Sequence, residues 1–470
     1  MPEFEIRRSF LAVTHKERSH SAARLLLLLM LVFALAPTAS AEWREKVLYS
    51  FQGGTDGATP AGGVVFDKQG NLYGATQQGG GSNCSPMAAC GTVYELAPPA
   101  KQGDPWTETV LHVFQGKQSN DGEFPSGGVI ADAVGNIYGT TAYGGTGDCV
   151  LLGIKGGCGT VFELSPPQTK GGQWTYSILY SFPTAKQGYV PAGDLVFDGA
   201  GNLYGATIFG GGKGTTCDAF YKYCGVVFEL SPPKTKGGKW TEKVLHSFAG
   251  GTDGANPNGG FVLDRNGAVY GTTSAGGNQA CKTTSSIGCG TTFELNPTSM
   301  GGGWTEKMLH RFSGGNDGAS PNGGLTFDAT GALYGTGGGG GSKTQGVVFQ
   351  FVRTKNSGKW IETVLHRFSA SGNAPCCPMA RVTFDGAGNL YSVSLSGTYF
   401  RGTAFRLKPP GSRGSVWNFA ILYAFKGVPD AAYPEANLIF DKAGKLYSAT
   451  EGGGIGACSG GCGTVFEVSP

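Results

Sequence analysis

A chain of 470 residues with 40% hydrophobic content can bury a large core. With 36 Lys and Arg against 33 Asp and Glu, its net charge is only +3, which gives no electrostatic reason to expect nucleic acid or an anionic membrane as partner. Its 83 glycines follow no three-residue period, which excludes collagen and points to many tight turns.

The first segment reads as an export signal. Arg7, Arg8, Lys16, Arg18 and Arg24 precede the apolar run Leu25–Ala36, which is too short for a comfortable membrane span. Ala39-x-Ala41 then offers a small-residue cleavage pattern. The expected organisation is a signal peptide over 1–41 and a mature domain over 42–470. Arg7–Leu11, "RRSFL", resembles a twin-arginine signal. The apolar core starts 14 residues later and is very greasy, so the general secretory route is favoured. Cleavage would leave 31 basic residues against 30 acidic ones. No second long apolar stretch follows. The expectation is a periplasmic or extracellular monomer with no transmembrane segment after cleavage.

In chain order, Trp43–Phe51, "WREKVLYSF", reads as a lone strand. A four-strand unit follows. Strand A is Gly63–Asp67, strand B is Asn71–Thr76, strand C is Gly91–Leu96 and strand D is Trp106–Phe114. A D-x-x-G turn joins A to B, with its Gly placed for a positive φ in a tight hairpin. The motif "DKQGNLYG" at Asp67 returns at Asp132, Asp198, Asp264, Asp328, Asp385 and Asp441. Seven tryptophans open the D strands: Trp43, Trp106, Trp174, Trp240, Trp304, Trp360 and Trp417. Repetition every 60 or so residues, four strands per unit, predicts an all-β, seven-bladed β-propeller. Glu451–Pro470 supplies a C strand with no D strand after it. The Trp43 strand should complete that last blade and close the ring, which removes the exposed sheet edges.

Two families share these motifs. The "DxxGNLYG" hairpin looks like the A–B hairpin of NHL-type propellers. The fuller pattern "FDxxGNLYGTT…GG…GTVFEL" is similar to the GloVer tandem repeats of exported bacterial proteins, and it covers residues 43–470. The resemblance implies an exported bacterial propeller and no particular chemistry. Such repeats often adjoin a C-terminal surface anchor. Here the repeat runs to Pro470, so covalent or sortase-like attachment is not expected.

Diversity concentrates in the B–C loops, which share one face with the D–A loops. Variable loops on a rigid repeat are where binding is expected. Five local cysteine pairs fall there: Cys84/Cys90, Cys149/Cys158, Cys217/Cys224, Cys281/Cys289 and Cys458/Cys462. In an exported chain they read as disulfides. Cys376 and Cys377 are adjacent in a D–A loop, and either a vicinal bridge or two free thiols fits the sequence. Asp56, Asp121, Asp253, Asp317 and Asp430 recur in the D–A loops. Such a ring of carboxylates near the tunnel mouth could hold Ca²⁺, although turn-stabilising Asp is the favoured reading. Tyr143, Phe209, Phe220, Tyr221, Tyr223, Tyr399 and Phe400 interrupt the loops. They are candidate stacking platforms for a sugar or an apolar ligand.

Catalytic motifs are thin. Beyond the signal there are four histidines, His112, His246, His310 and His366, all in the same "L-H-x-F" slot of strand D. A residue repeated around the ring is structural before it is catalytic. The leading expectation is a binder of carbohydrate or another extracellular ligand. The alternatives are a protein-interaction or structural module and a carbohydrate-active hydrolase or lyase using acidic residues. One blade with unique inward-pointing acids would favour an enzyme. A tunnel mouth without convergent polar groups would favour a scaffold.

Overall fold

The repeated D-x-x-G turn forms because one carboxylate satisfies four donors. In a computed structural model of the chain, Asp67 Oδ1 accepts the backbone N–H groups of Gln69 and Asn71, each at 2.8 Å. Its Oδ2 accepts from the Asn71 side-chain amide at 2.8 Å and from the Tyr73 hydroxyl at 3.2 Å. Gly70 sits at φ +91°, where a side chain would be strained. The Asp, Gly, Asn and Tyr of the motif therefore serve one turn. The second Gly answers to packing. A Cβ on Gly74 would lie 2.3 Å from the Tyr94 hydroxyl, and one on Gly205 would lie 2.5 Å from Phe228 Cζ.

The structure describes residues 42–470 without 82–89, 102, 152–153, 170, 213–223, 236, 259, 282–287, 299–301, 341–344, 370–373 and 413–415. The predicted signal peptide lies outside these. Trp43–Ser469 forms one unit of seven antiparallel blades. Blade 1 runs Ala58–Phe66, Leu72–Gln78, Thr92–Ala97 and Thr107–Val113 across one sheet. Strand A is split in blades 2 and 4, into Gly122–Pro125 with Ile130–Ala131 and Ala255–Pro257 with Val262–Leu263. Among the described residues the helical pieces are two 3-10 turns, Lys117–Ser119 and Gly251–Asp253. The ring closes as the sequence predicts. Arg44–Ser50 pairs antiparallel with Thr464–Ser469, from Arg44 opposite Ser469 to Ser50 opposite Thr464.

Three devices recur at the joints between blades. Each D strand ends in a buried Phe that meets the C-strand aromatic of the next blade. The seven contacts, from Phe51–Tyr94 to Phe425–Phe466, have ring centroids 5.0 to 5.4 Å apart. Tilted and edge-on pairs of this kind suit the ring quadrupoles. Each C–D pair also carries a bulge. Val227 faces His246 and Phe228 faces Val244, so Leu245 is the extra residue. Such a bulge re-aims the side chain beside it, here the His or Tyr of the "L-H-x-F" slot.

The third device is a backbone stitch. Thr59, Phe124, Val190, Asn256, Ser320, Cys377 and Tyr433 all adopt φ between +49° and +60°, and each precedes a proline. Their N–H groups donate across the joint to carbonyls such as Cys462 O (2.7 Å, from Thr59) and Cys289 O (2.8 Å, from Ser320). The following proline covers the Gly that opens the neighbouring C strand. A Cβ on Gly463 would lie 2.3 Å from Pro60 Cδ. The pattern CG[TV] in one blade and x-P in the next is thus a single joint.

Candidate functional site

Strand A lines the tunnel, and its first residues break the sevenfold repeat. The aligned starts read PAGG, PSGG, PAGD, PNGG, PNGG, PMAR and PEAN. The fourth position is therefore Gly in four blades and Asp194, Arg381 and Asn437 in the others. These three meet across the axis. Arg381 Nη2 lies 3.1 Å from Asp194 Oδ2, and the Asn437 side-chain amide donates to that oxygen at 2.7 Å. The Arg381 backbone N–H donates to Asn437 Oδ1 at 2.8 Å, and that of Gly128 donates to Asp194 Oδ1 at 2.8 Å. The glycines make room for this bar. A Cβ on Gly260 would lie 1.7 Å from Arg381 Nη2.

Above the bar, on the face of the D–A and B–C loops, lies a cavity of about 150 Å³. Gln77, Ser126, Asn258, Asn322, Glu435 and Glu451 converge on it. Glu435 and Glu451 both come from blade 7. Burial and the neighbouring Glu451 carboxylate push the Glu435 carboxyl up to about 7. Burial also raises that of Glu451. Asn322 Oδ1 and Arg381 Nε are buried without a hydrogen-bond partner. Groups of this kind bind polar ligands through donors and acceptors already held in place. The sequence reading missed these residues. Their signal is the departure from the repeat at strand-A starts and strand-B ends. Below the bar a second, more apolar cavity is lined by Val64, Val129, Leu195, Val382 and Leu438.

The five D–A aspartates do not line the tunnel mouth. Each is tied to strand D. Asp56 Oδ2 accepts from the Tyr49 hydroxyl at 3.1 Å and from the Gln52 N–H at 2.8 Å. Asp430 accepts from Tyr423 and from the Lys426 N–H in the same way. Asp121, Asp253 and Asp317 lie 3.1 to 3.3 Å from His112, His246 and His310. The loop turns back on the preceding strand, so a central ring of Ca²⁺ ligands is corrected to separate joints at the outer strands. His366 has no such Asp. It stacks on Phe419 at 4.1 Å, and burial depresses its pKa to about 4.

Three predicted disulfides are described whole: Cys149–Cys158, Cys281–Cys289 and Cys458–Cys462. Cys90 and Cys224 are also bonded, while Cys84 and Cys217 lie outside the described residues. Of the two states the sequence leaves open, the structure has Cys376 and Cys377 unbridged, with Sγ atoms 2.7 Å apart. The Cys376 N–H bonds Ser396 O and the Cys377 N–H bonds Gln345 O. These joints fix the two backbones, and adjacent Cα atoms at about 3.8 Å lie below the usual disulfide range.

The loop aromatics divide. Tyr143 packs on Phe124 and Phe209 packs on Tyr189, both against the core. Tyr399 and Phe400 are 50% and 63% exposed. Phe220, Tyr221 and Tyr223 lie outside the described residues.

Among curated proteins none matches the chain. A fungal alcohol oxidase of the AA5 family, in complex with copper, superposes with a TM-score of 0.52 at 14% identity over 90% of this chain and 76% of that one. A glucose dehydrogenase gives 0.42 at 14% identity, covering 91% and 99%. The NanB sialidase of Streptococcus pneumoniae gives 0.39 at 11% identity, covering 90% and 70%. At such identity the first likeness speaks for the fold alone. The profile of the Gloeobacter/Verrucomicrobia repeat matches residues 31–216 and 150–376. With seven blades built on that repeat, this chain belongs to the Gloeobacter/Verrucomicrobia repeat family.

Proposed function

We propose that the protein is an exported binding module whose ligand is a carbohydrate or another small polyhydroxylated molecule, seated at the tunnel mouth. One observation carries this reading: Gln77, Ser126, Asn258, Asn322, Glu435 and Glu451 converge from several blades on one cavity. Amides, a hydroxyl and carboxyls at fixed positions suit a ligand rich in hydroxyl groups. Tyr399 and Phe400 would extend the site with exposed rings on the same face. Export is supported by disulfides that pin the loops. Among the described residues no helix is long and apolar enough to cross a membrane.

A second reading, hydrolase or lyase, is favoured by the Glu435 carboxyl near 7 beside Glu451, a range suited to proton transfer at neutral pH. The test is a glycan array with the oxidised chain from Glu42, read with and without Ca²⁺, followed by a turnover assay on every hit. Reproducible hits lost in Glu435→Ala support the binding module. Turnover of a hit moves the assignment to the enzyme. A blank array from folded protein contradicts the carbohydrate reading and favours a protein partner or a structural role.

A further inference from the structure

The seven joints at the outer strands use different side chains to the same structural end. Between blades 1 and 2, the Tyr176 hydroxyl donates to Asp121 Oδ1 at 2.6 Å and completes the His112–Asp121 pair. Between blades 5 and 6, His366 stacks on Phe419 with no acid in the slot. The ring therefore closes without a fixed set of charges at this place. Two adjacent joints nevertheless carry an imidazole and two carboxyls. His246, Asp253 and Glu306 bring their ligand atoms within 4.8 Å of one another, and so do His310, Asp317 and Glu362.

The spacing suits a metal as well as a hydrogen bond. His310 Nε2 lies 3.2 Å from Asp317 Oδ2 and 3.7 Å from Glu362 Oε2, and His246 Nε2 lies 3.3 Å from Asp253. Metal–ligand bonds of 2.0 to 2.2 Å in a tetrahedron give ligand–ligand edges of about 3.3 to 3.6 Å. Glu306 Oε1 and Glu362 Oε1 are buried without a hydrogen-bond partner, as are the same atoms of Glu45, Glu108 and Glu242 at joints whose slot holds Tyr423, Tyr49 and Tyr180. Such an orphan costs free energy unless something compensates it. Among the described residues it is beside His246 and His310 that it shares its place with an imidazole and a second carboxylate. The side chains of His246, Asp253, His310 and Asp317 are 19% to 25% exposed, so each cluster reaches solvent. Arg311 and Arg367 stand beside the two clusters, each bonded through Nε to a loop carbonyl, of Thr252 and Asn316.

We propose that each of these two joints binds one divalent transition-metal cation of the Zn²⁺ class, through His246, Asp253 and Glu306 and through His310, Asp317 and Glu362. One imidazole with two carboxylates selects a borderline cation over Ca²⁺ or Mg²⁺. The sites lie on the outer strands, so their failure would leave the tunnel-mouth reading untouched.

The test titrates chelator-stripped, oxidised chain with Co²⁺, read by its visible d–d absorption, and then with Zn²⁺ in competition. Two equivalents are expected in the wild type. Glu306→Phe and Glu362→Phe copy the Phe419 joint, and each should lose one equivalent. Glu242→Gln, at the Tyr180 joint, should keep both. Near-UV circular dichroism checks folding of each variant. A folded wild type that binds no Co²⁺, or a double variant that keeps both equivalents, overturns the proposal.

Discussion

Gly260 shows how a single residue can be set by a side chain two blades' worth of sequence away. Its missing Cβ gives Arg381 the space to reach Asp194. Gly260→Ala should displace the guanidinium and cost about 1–2 kcal/mol, the scale of a charge-assisted hydrogen bond. In an Arg381→Gly background the same change should cost little. A denaturant double-mutant cycle measures that coupling. Glu435 carries a second residue-scale prediction. Its carboxyl is raised from 4.5 to about 7, so the folded protein holds a proton that the unfolded chain releases. That contribution favours folding below pH 4.5 and is lost as the pH rises to 7. Glu435→Gln should therefore be more stable than wild type by about 2 kcal/mol at pH 8, with the gap closing by pH 4. Thermal melts across that range report it.

At the scale of elements, the loops of the D–A and B–C face are held by short bridges and by the joints beneath them. Cys149–Cys158 closes a loop with a sequence separation of 9. Cys149→Ser with Cys158→Ser should cost roughly 2–2.5 kcal/mol by the loop-entropy account, measured by denaturant unfolding under oxidising conditions. The hairpins, the strand order and the closing strand were legible in the sequence because each was written seven times. The cysteine pairs were legible because each was local. The tunnel mouth was not, because repetition hides the residues that break it. Asp194, Arg381 and Asn437 each occur once at their slot, and only the assembled ring brings blades 3, 6 and 7 to one axis. The aspartates of the D–A loops recur for a different reason: each ties its loop to strand D, where the bulge turns the His and Tyr slot outward to meet it.

At the scale of the whole molecule, closure rests on one strand taken from the far end of the chain. Arg44–Ser50 covers the edge of Thr464–Ser469, and Phe51 fills the joint against Tyr94. Deleting residues 43–51 should expose that edge and remove a fully buried Phe, a loss of about 3–5 kcal/mol for the side chain alone. The shortened chain should unfold at lower temperature and self-associate through the free strand, as light scattering would show. The central claim is that an otherwise repetitive ring binds its ligand where the repeat fails. Calorimetric titration of the best array ligand into wild type, Asn322→Ala and Glu435→Gln tests it most directly. The account predicts at least about tenfold weaker binding in both variants, equivalent to about 1.4 kcal/mol, with folding intact. Unchanged affinity in both would contradict it and place the ligand elsewhere on the ring.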